Sequence, residues 1–301
     1  NEAVVKVSSV DEKDSWHAES VRNANKQSGL VFRETLKNYY ILTGTGVVSD
    51  AKKLYVTFQN NKQVQADIQG TATNLGVAVL RVDKAELDNQ TIKETNAVSI
   101  SEKSQLALGT PVLLLGSPNG VMNTVLLGNV VNNKLTASVT DGDVSLYSTN
   151  TSFCSTANGF AVDIEGRLVG MLSDAYQDVT GCTNSAFIGI HDISSVLTSL
   201  VQGKEQVYFG IKGCNLDKER GSQFGLEDGI YITDVIVQSP AYEGGVRAAD
   251  ILTAIDGTSV KNLRQMRLIL SRHIPGDELT LSLLRTGDTK SVKKKIKVVL
   301  K

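Results

Sequence analysis

Histidine is scarce in this chain of 301 residues: there are three, His17, His191 and His273, alongside three cysteines, four prolines and one tryptophan. No cluster of His and Cys has the spacing of metal ligands, so neither a metal nor another cofactor is expected. An excess of one sign of charge is also missing, with 31 basic and 32 acidic side chains and a net charge of −1. No global field favours nucleic acid. Residues 206–301 hold 15 basic and 11 acidic groups, but much of that excess is the run Lys293-Lys-Lys-Ile-Lys297, which reads as a strand protected by lysines. No apolar run is long enough to span a bilayer, and no signal peptide is visible. The first residue is Asn1 rather than Met. A signal or membrane anchor removed from the N-terminus is therefore an open expectation.

What is present is a succession of short β-branched and aromatic runs bounded by turn residues. Val4–Val10, Gly29–Arg33, Tyr39–Thr43, Lys53–Phe58, Gln63–Gln69 and Val77–Val82 predict six strands, enough for a small barrel. A polar connector, 83–108, follows. A second set comprises Pro111–Gly116, Val125–Val131, Val144–Ser148, Gly159–Ile164, Arg167–Leu172 and Ser185–Ile190. Residues 192–201 have apolar positions at helical spacing, with Asp192 as the expected N-cap. This predicts a mostly β domain over 1–203, a double β-barrel with barrels at about 1–100 and 109–190 and a closing helix at 192–201.

After residue 205 the pattern changes. The order is Tyr208-Phe-Gly-Ile211, Ser239-Pro-Ala-Tyr-Glu-Gly-Gly-Val246, Asp250-Ile-Leu-Thr-Ala-Ile-Asp-Gly257, and an amphipathic helix over Leu263–Arg272. Residues 206–301 resemble a bacterial PDZ domain, an α+β fold. That resemblance implies binding of C-terminal or extended peptides of other proteins by strand addition. Tyr208, Phe209, Gly210 and Ile211 would receive the ligand carboxylate on backbone N–H groups. Met266 and Ile269, or Leu270, would form the opposite wall. Apolar residues at this spacing are equally those of a plain core, the reading favoured for Leu263 and Leu270.

Three stretches of the first domain carry a second resemblance. They are Tyr40-Ile-Leu-Thr-Gly-Thr-Gly-Val-Val48, Gly76-Val-Ala-Val-Leu80, and the loop Phe153–Phe160 with its hairpin Ala161-Val-Asp-Ile-Glu-Gly-Arg-Leu-Val-Gly-Met171. These are similar to the segments that carry the catalytic groups of trypsin-like serine proteases of the HtrA (Deg) type. The resemblance covers residues 28–201 and continues through the PDZ-like region. It implies a general base at position 46, its orienting carboxylate at 76 and a nucleophile at 157. Glycine stands at the first two and Ala157 at the third. Alignment on Cys154 would move the nucleophile position to Asn158.

From these substitutions the chain is expected to be no enzyme: an inactive HtrA-like pseudoprotease, acting as a peptide-binding scaffold or sensor. Two alternatives stay open. One is a serine endopeptidase with a non-standard or partner-completed active site, for which Ser155 and Thr156 are nearby hydroxyls. The other is a chaperone-like assembly protein. The resemblance further implies a disulfide between Cys154 and Cys182, unless these are two buried thiols, and an extracytoplasmic location at a bacterial surface or envelope. A monomer is favoured over a trimer.

Overall fold

The computed structural model describes residues 2–10, 25–49, 51–117, 122–151, 158–172, 186–216, 221–222, 228–286 and 291–301. The chain is mostly β. Its first six strands are β1 (Val4–Val10), β2 (Lys26–Glu34), β3 (Asn38–Gly44), β4 (Lys53–Thr57), β5 (Gln63–Ala72) and β6 (Val77–Asp83). They close into a barrel in the order β1-β2-β3-β6-β5-β4. On these strands Val7, Leu30, Ile41, Leu42, Val56 and Leu80 are wholly buried. Burying each such side chain contributes about 1.5–3 kcal/mol. The connector after β6 is not a plain loop. It contains helix α1 (Asn89–Glu94), whose N-cap Asp88 accepts from Thr91 N at 2.7 Å. Buried Tyr39 donates its hydroxyl to the carbonyls of Ile92 and Thr95 (3.3 and 3.2 Å) and so ties this connector to the barrel.

The second barrel consists of β7 (Pro111–Ser117), β8 (Thr124–Val139), β9 (Gly142–Thr149), β10 (Asn158–Val162), β11 (Leu168–Leu172) and β12 (Ala186–Gly189). Its order is β10-β11-β12-β9-β8-β7. β8 runs on past Val131, where the expected strand ended, through Asn132-Asn133-Lys134. The strand tolerates these residues because much of its length is exposed on one face. Helix α2 (Ile190–Val201) begins two residues earlier than expected, and its N-cap is Gly189. Asp192 is not the cap. It lies in the first turn, is almost wholly buried, and its carboxylate accepts from the backbone N–H of Ser145.

The chain divides into two compact units: residues 1–137 with 145–204, and residues 138–144 with 205–301. The second unit thus contains the end of β8, the turn after it and the start of β9. Its sheet has the order β13 (Ile211–Asn215), β14 (Ile230–Val235), β15 (Asp250–Ile255), β17 (Glu278–Thr286) and β18 (Ser291–Val299), with β16 (Thr258–Ser259) paired to β15. Helices α3 (Pro240–Glu243) and α4 (Leu263–Leu270) complete it. The core beneath α4 includes Leu263, Met266 and Leu270 together with Phe209, Ile211 and Ile232. Asn262 caps α4 by accepting from Gln265 N at 2.9 Å. Among the described residues, no helix is long and apolar enough to cross a membrane.

Candidate functional site

Position 46 lies in a 3₁₀ turn, Thr45–Val47, that continues directly from β3. Position 76 ends a second 3₁₀ turn, Thr73–Leu75, in the left-handed conformation with φ +68°. The two are neighbours in space, because Thr45 N donates to Gly76 O at 3.1 Å and Gly44 pairs with Val77. The structure therefore brings together two of the three positions singled out in the sequence. Neither offers a side chain to carry or orient a proton. Gln27 of β2 fills the space beside Gly44 and Gly46. A Cβ built on Gly46 would stand 2.9 Å from Gln27 Nε2, and one on Gly44 would stand 2.6 Å from Gln27 Oε1. Gln27 Oε1 is buried and, among the described residues, has no hydrogen-bond partner.

Ala157, Ser155 and Thr156 lie outside the described residues, as do Cys154 and Cys182. Asn158 is the first described residue after that loop, and its Oδ1 accepts from Ser28 N at 2.8 Å. The Ser28 hydroxyl is buried against Met122 Sδ at 3.7 Å. His191 is exposed on the first turn of α2, and His273 Nδ1 pairs with Asp277 Oδ2 at 3.0 Å in the second unit. His17 is outside the described residues. Among the described residues no group of His, Cys, Asp and Glu is arranged to hold a metal ion.

The second unit carries a sharper arrangement at the start of β13. Backbone N–H groups of three consecutive residues point to one carboxylate, that of Asp141 in the turn between β8 and β9. Phe209 N donates to Oδ2 at 2.9 Å; Gly210 N and Ile211 N donate to Oδ1 at 2.7 and 3.0 Å. Consecutive N–H groups in a loop of this kind form a concave anion site. The bend depends on Gly210, at φ +93°. Asp141 also adopts a left-handed conformation, φ +62°, and returns a backbone bond from its own N–H to Ile211 O at 2.9 Å. Burial pushes the Asp141 carboxyl up to about 6, against the three N–H donors, which favour its charged form. Tyr208 is pushed up as well, by burial first and by the Asp141 charge second.

Of the apolar residues named for the peptide site, Phe209, Ile211 and Met266 are wholly buried in the core of the unit. Their side chains pack in that core. Ile269 is only partly buried and packs against the same core. The residue that sequence reasoning missed is Asp141. Its only signal was Asp141-Gly142 between two strands, which reads simply as a tight hairpin turn.

Comparison with known proteins agrees with this architecture. Residues 27–171 match the model of the trypsin-like peptidase domain, and residues 208–296 match that of the PDZ domain. The chain is 26% identical over 287 residues to the serine protease Do-like HtrB of Bacillus subtilis, a match covering 88% of this chain and 60% of that protein. It is 27% identical to the serine protease Do-like HtrA of the same organism, covering 90% and 63% respectively. It is 24% identical to a probable periplasmic serine endoprotease, DegP-like, of Halomonas elongata, covering 92% and 56%. The chain thus spans less than two thirds of the length of these relatives. Among solved structures, the HtrA-type protease AlgW with tripeptide has the same fold: TM-score 0.66 at 21% identity, covering all of this chain and 94% of that one.

These relatives correct one expectation. Glycine at 46 and 76 and alanine at 157 suggested that the chain is no enzyme, yet the proteins it is similar to are named serine proteases and endoproteases. What Gly46 and Gly76 exclude is narrower: proton transfer by a side chain at those two positions.

Proposed function

The chain is HtrA-like, a trypsin-like peptidase domain followed by a PDZ domain, and from that premise we propose that it is a peptide-capturing serine endopeptidase with a non-standard or partner-completed active site. The capture step takes the C-terminal carboxylate of another protein on the N–H groups of Phe209, Gly210 and Ile211. The observation that carries it is the convergence of those three donors on one carboxylate oxygen pair, with bonds of 2.7–3.0 Å. The outer edge of β13, the side away from β14, then receives the rest of the ligand as an added strand.

Hydrolysis in this reading cannot use the usual base at 46 or orienter at 76. It needs a base from elsewhere in the chain or from a partner. Ser155 is the hydroxyl offered first, two residues before Ala157 in the sequence. An extracytoplasmic location fits the periplasmic relatives and would allow Cys154 and Cys182 to pair.

One experiment tests both halves. The full chain is incubated with casein and with a fluorophosphonate probe, with and without a pool of peptides bearing free C-terminal carboxylates. The proposal predicts probe labelling that maps to a hydroxyl near residue 155, disappears in Ser155→Ala, and rises with peptide. Absence of cleavage and labelling in every condition sinks the endopeptidase half. Absence of binding to the pool sinks the capture half.

A further inference from the structure

The carboxylate loop of the second unit is already filled by the chain itself. We infer that Asp141 is a built-in ligand: its side chain holds the place of a peptide's terminal carboxylate, and a peptide enters only when the 138–144 turn leaves. This rests on reading Tyr208–Ile211 as a peptide-carboxylate site.

The contacts of the turn reproduce both parts of a strand-adding ligand. The head is the Asp141 carboxylate on three consecutive N–H groups, at 2.7–3.0 Å. The body lies along the outer edge of β13, the terminal strand of its sheet. β13 pairs with β14 on its inner side, where Gly210 O accepts from Ile236 N. On the outer side Ile211 O accepts from Asp141 N at 2.9 Å and Gly213 O accepts from Ser138 Oγ at 3.0 Å. These carbonyls, two residues apart, are the ones an incoming strand would use. Asn215 Nδ2 continues the row toward Asp143 Oδ2 at 3.4 Å. Gly142 closes against the Arg267 side chain of α4, where a Cβ would meet Cδ at 3.3 Å.

The turn is held in place by β8 and β9, so its effective concentration at the loop is high and an external peptide competes at a disadvantage. Apparent affinity is the intrinsic affinity multiplied by the fraction of molecules with the turn released. Burial opposes the charged form of Asp141, whose carboxyl is raised to about 6, which favours release at neutral pH. A carboxylate that is not the chain terminus can thus fill the loop when a left-handed residue presents it at a hairpin tip.

The test uses the full chain, Asp141→Ala and Asp141→Asn. The asparagine variant keeps the size and loses the charge, and it decides the matter by the same readouts if the alanine variant does not fold. The probe is a fluorescein-labelled decapeptide pool, randomised over its last four residues, with a free C-terminal carboxylate or a C-terminal amide. Amide hydrogen exchange at residues 209–211 is followed in parallel. The expected result is at least tenfold tighter binding of the acid pool to Asp141→Ala, a smaller gain for Asp141→Asn, no gain for the amide pool, and faster exchange at 209–211 in both variants. Equal binding of the acid pool by all three proteins overturns the inference and leaves the peptide site standing. Faster exchange without binding of either pool overturns the peptide site and the inference with it.

Discussion

Gly210 sits so close to Ser239 that a Cβ placed on it would lie 2.1 Å from the Ser239 Cβ. Ser239 cannot retreat freely. Its hydroxyl donates to Gly210 O (3.3 Å) and accepts from Tyr242 N (3.2 Å), capping α3. Gly210→Ala therefore meets both a clash and a left-handed φ, and is predicted to cost about 2–4 kcal/mol. Urea denaturation of the full chain would read this as a lower midpoint. A cost below about 0.5 kcal/mol would show that the loop yields easily.

Asp141 gives a pH dependence with a definite sign. Its carboxyl lies at about 6 when the turn is docked, while a solvated aspartate lies near 4. Between those values the docked state binds more protons than the released one, so acidification favours docking and the contribution is lost as pH rises through 6. Among the described residues, the titratable or charged groups around it include Tyr208, Asp143 and Arg267, and Tyr208 is raised further from this window. Apparent affinity for acid-terminated peptides is predicted to fall about tenfold from pH 7 to pH 5, about 1.4 kcal/mol. The dependence should vanish in Asp141→Asn, as followed by fluorescence anisotropy.

Gln27 and Gly46 are predicted to be energetically coupled. Gly46→His must displace the Gln27 amide, at a cost of about 1–3 kcal/mol. Gln27→Ala removes a buried acceptor that has no partner among the described residues, so it should cost less than about 1 kcal/mol. The double variant should be more stable than the sum of the singles by about 0.5–3 kcal/mol. Strict additivity in a double-mutant cycle would show that the two side chains do not compete for one space.

Asp250 and Arg285 form a two-pronged charged contact in the second unit. Arg285 Nε and Nη2 reach Asp250 Oδ1 and Oδ2, both at 2.6 Å, and Arg247 N adds a bond of 2.9 Å to Oδ2. The Asp250 side chain is wholly buried, so Arg285→Ala strands a charge and is predicted to cost about 3–5 kcal/mol. Arg285→Lys, which cannot form the two-pronged contact, should fall between the variant and the natural protein. Thermal melts of the three proteins check the order.

The strands were legible because β-branched and aromatic residues recur between turn residues, as in Val77–Val82, which becomes β6. The double barrel followed from the even spacing of such strands, and the PDZ-type sheet from resemblance. Other features were not legible because they depend on partners distant in sequence. Asp192 looks like a helix cap until Ser145 N, 47 residues away, claims it. Met266 fits a groove wall or a core stripe equally well, and only packing against the sheet decides for the core. Asp141 is 68–70 residues from the N–H groups that receive it, and a hairpin turn conceals such a role. Gly46 shows only that a side chain is missing; that Gln27 has moved into the space is a property of two neighbouring strands.

Residues 138–144 belong to the second unit although 60 residues separate them from its main segment at 205. A fragment cut from the chain after residue 204, the natural choice for measuring peptide recognition, would leave Phe209, Gly210 and Ile211 without the carboxylate they hold. Its affinities would describe a receptor with its competitor removed and would exceed those of the intact chain. A ligand selected on such a fragment would have to be ranked again on the whole protein before its place in the cell could be argued.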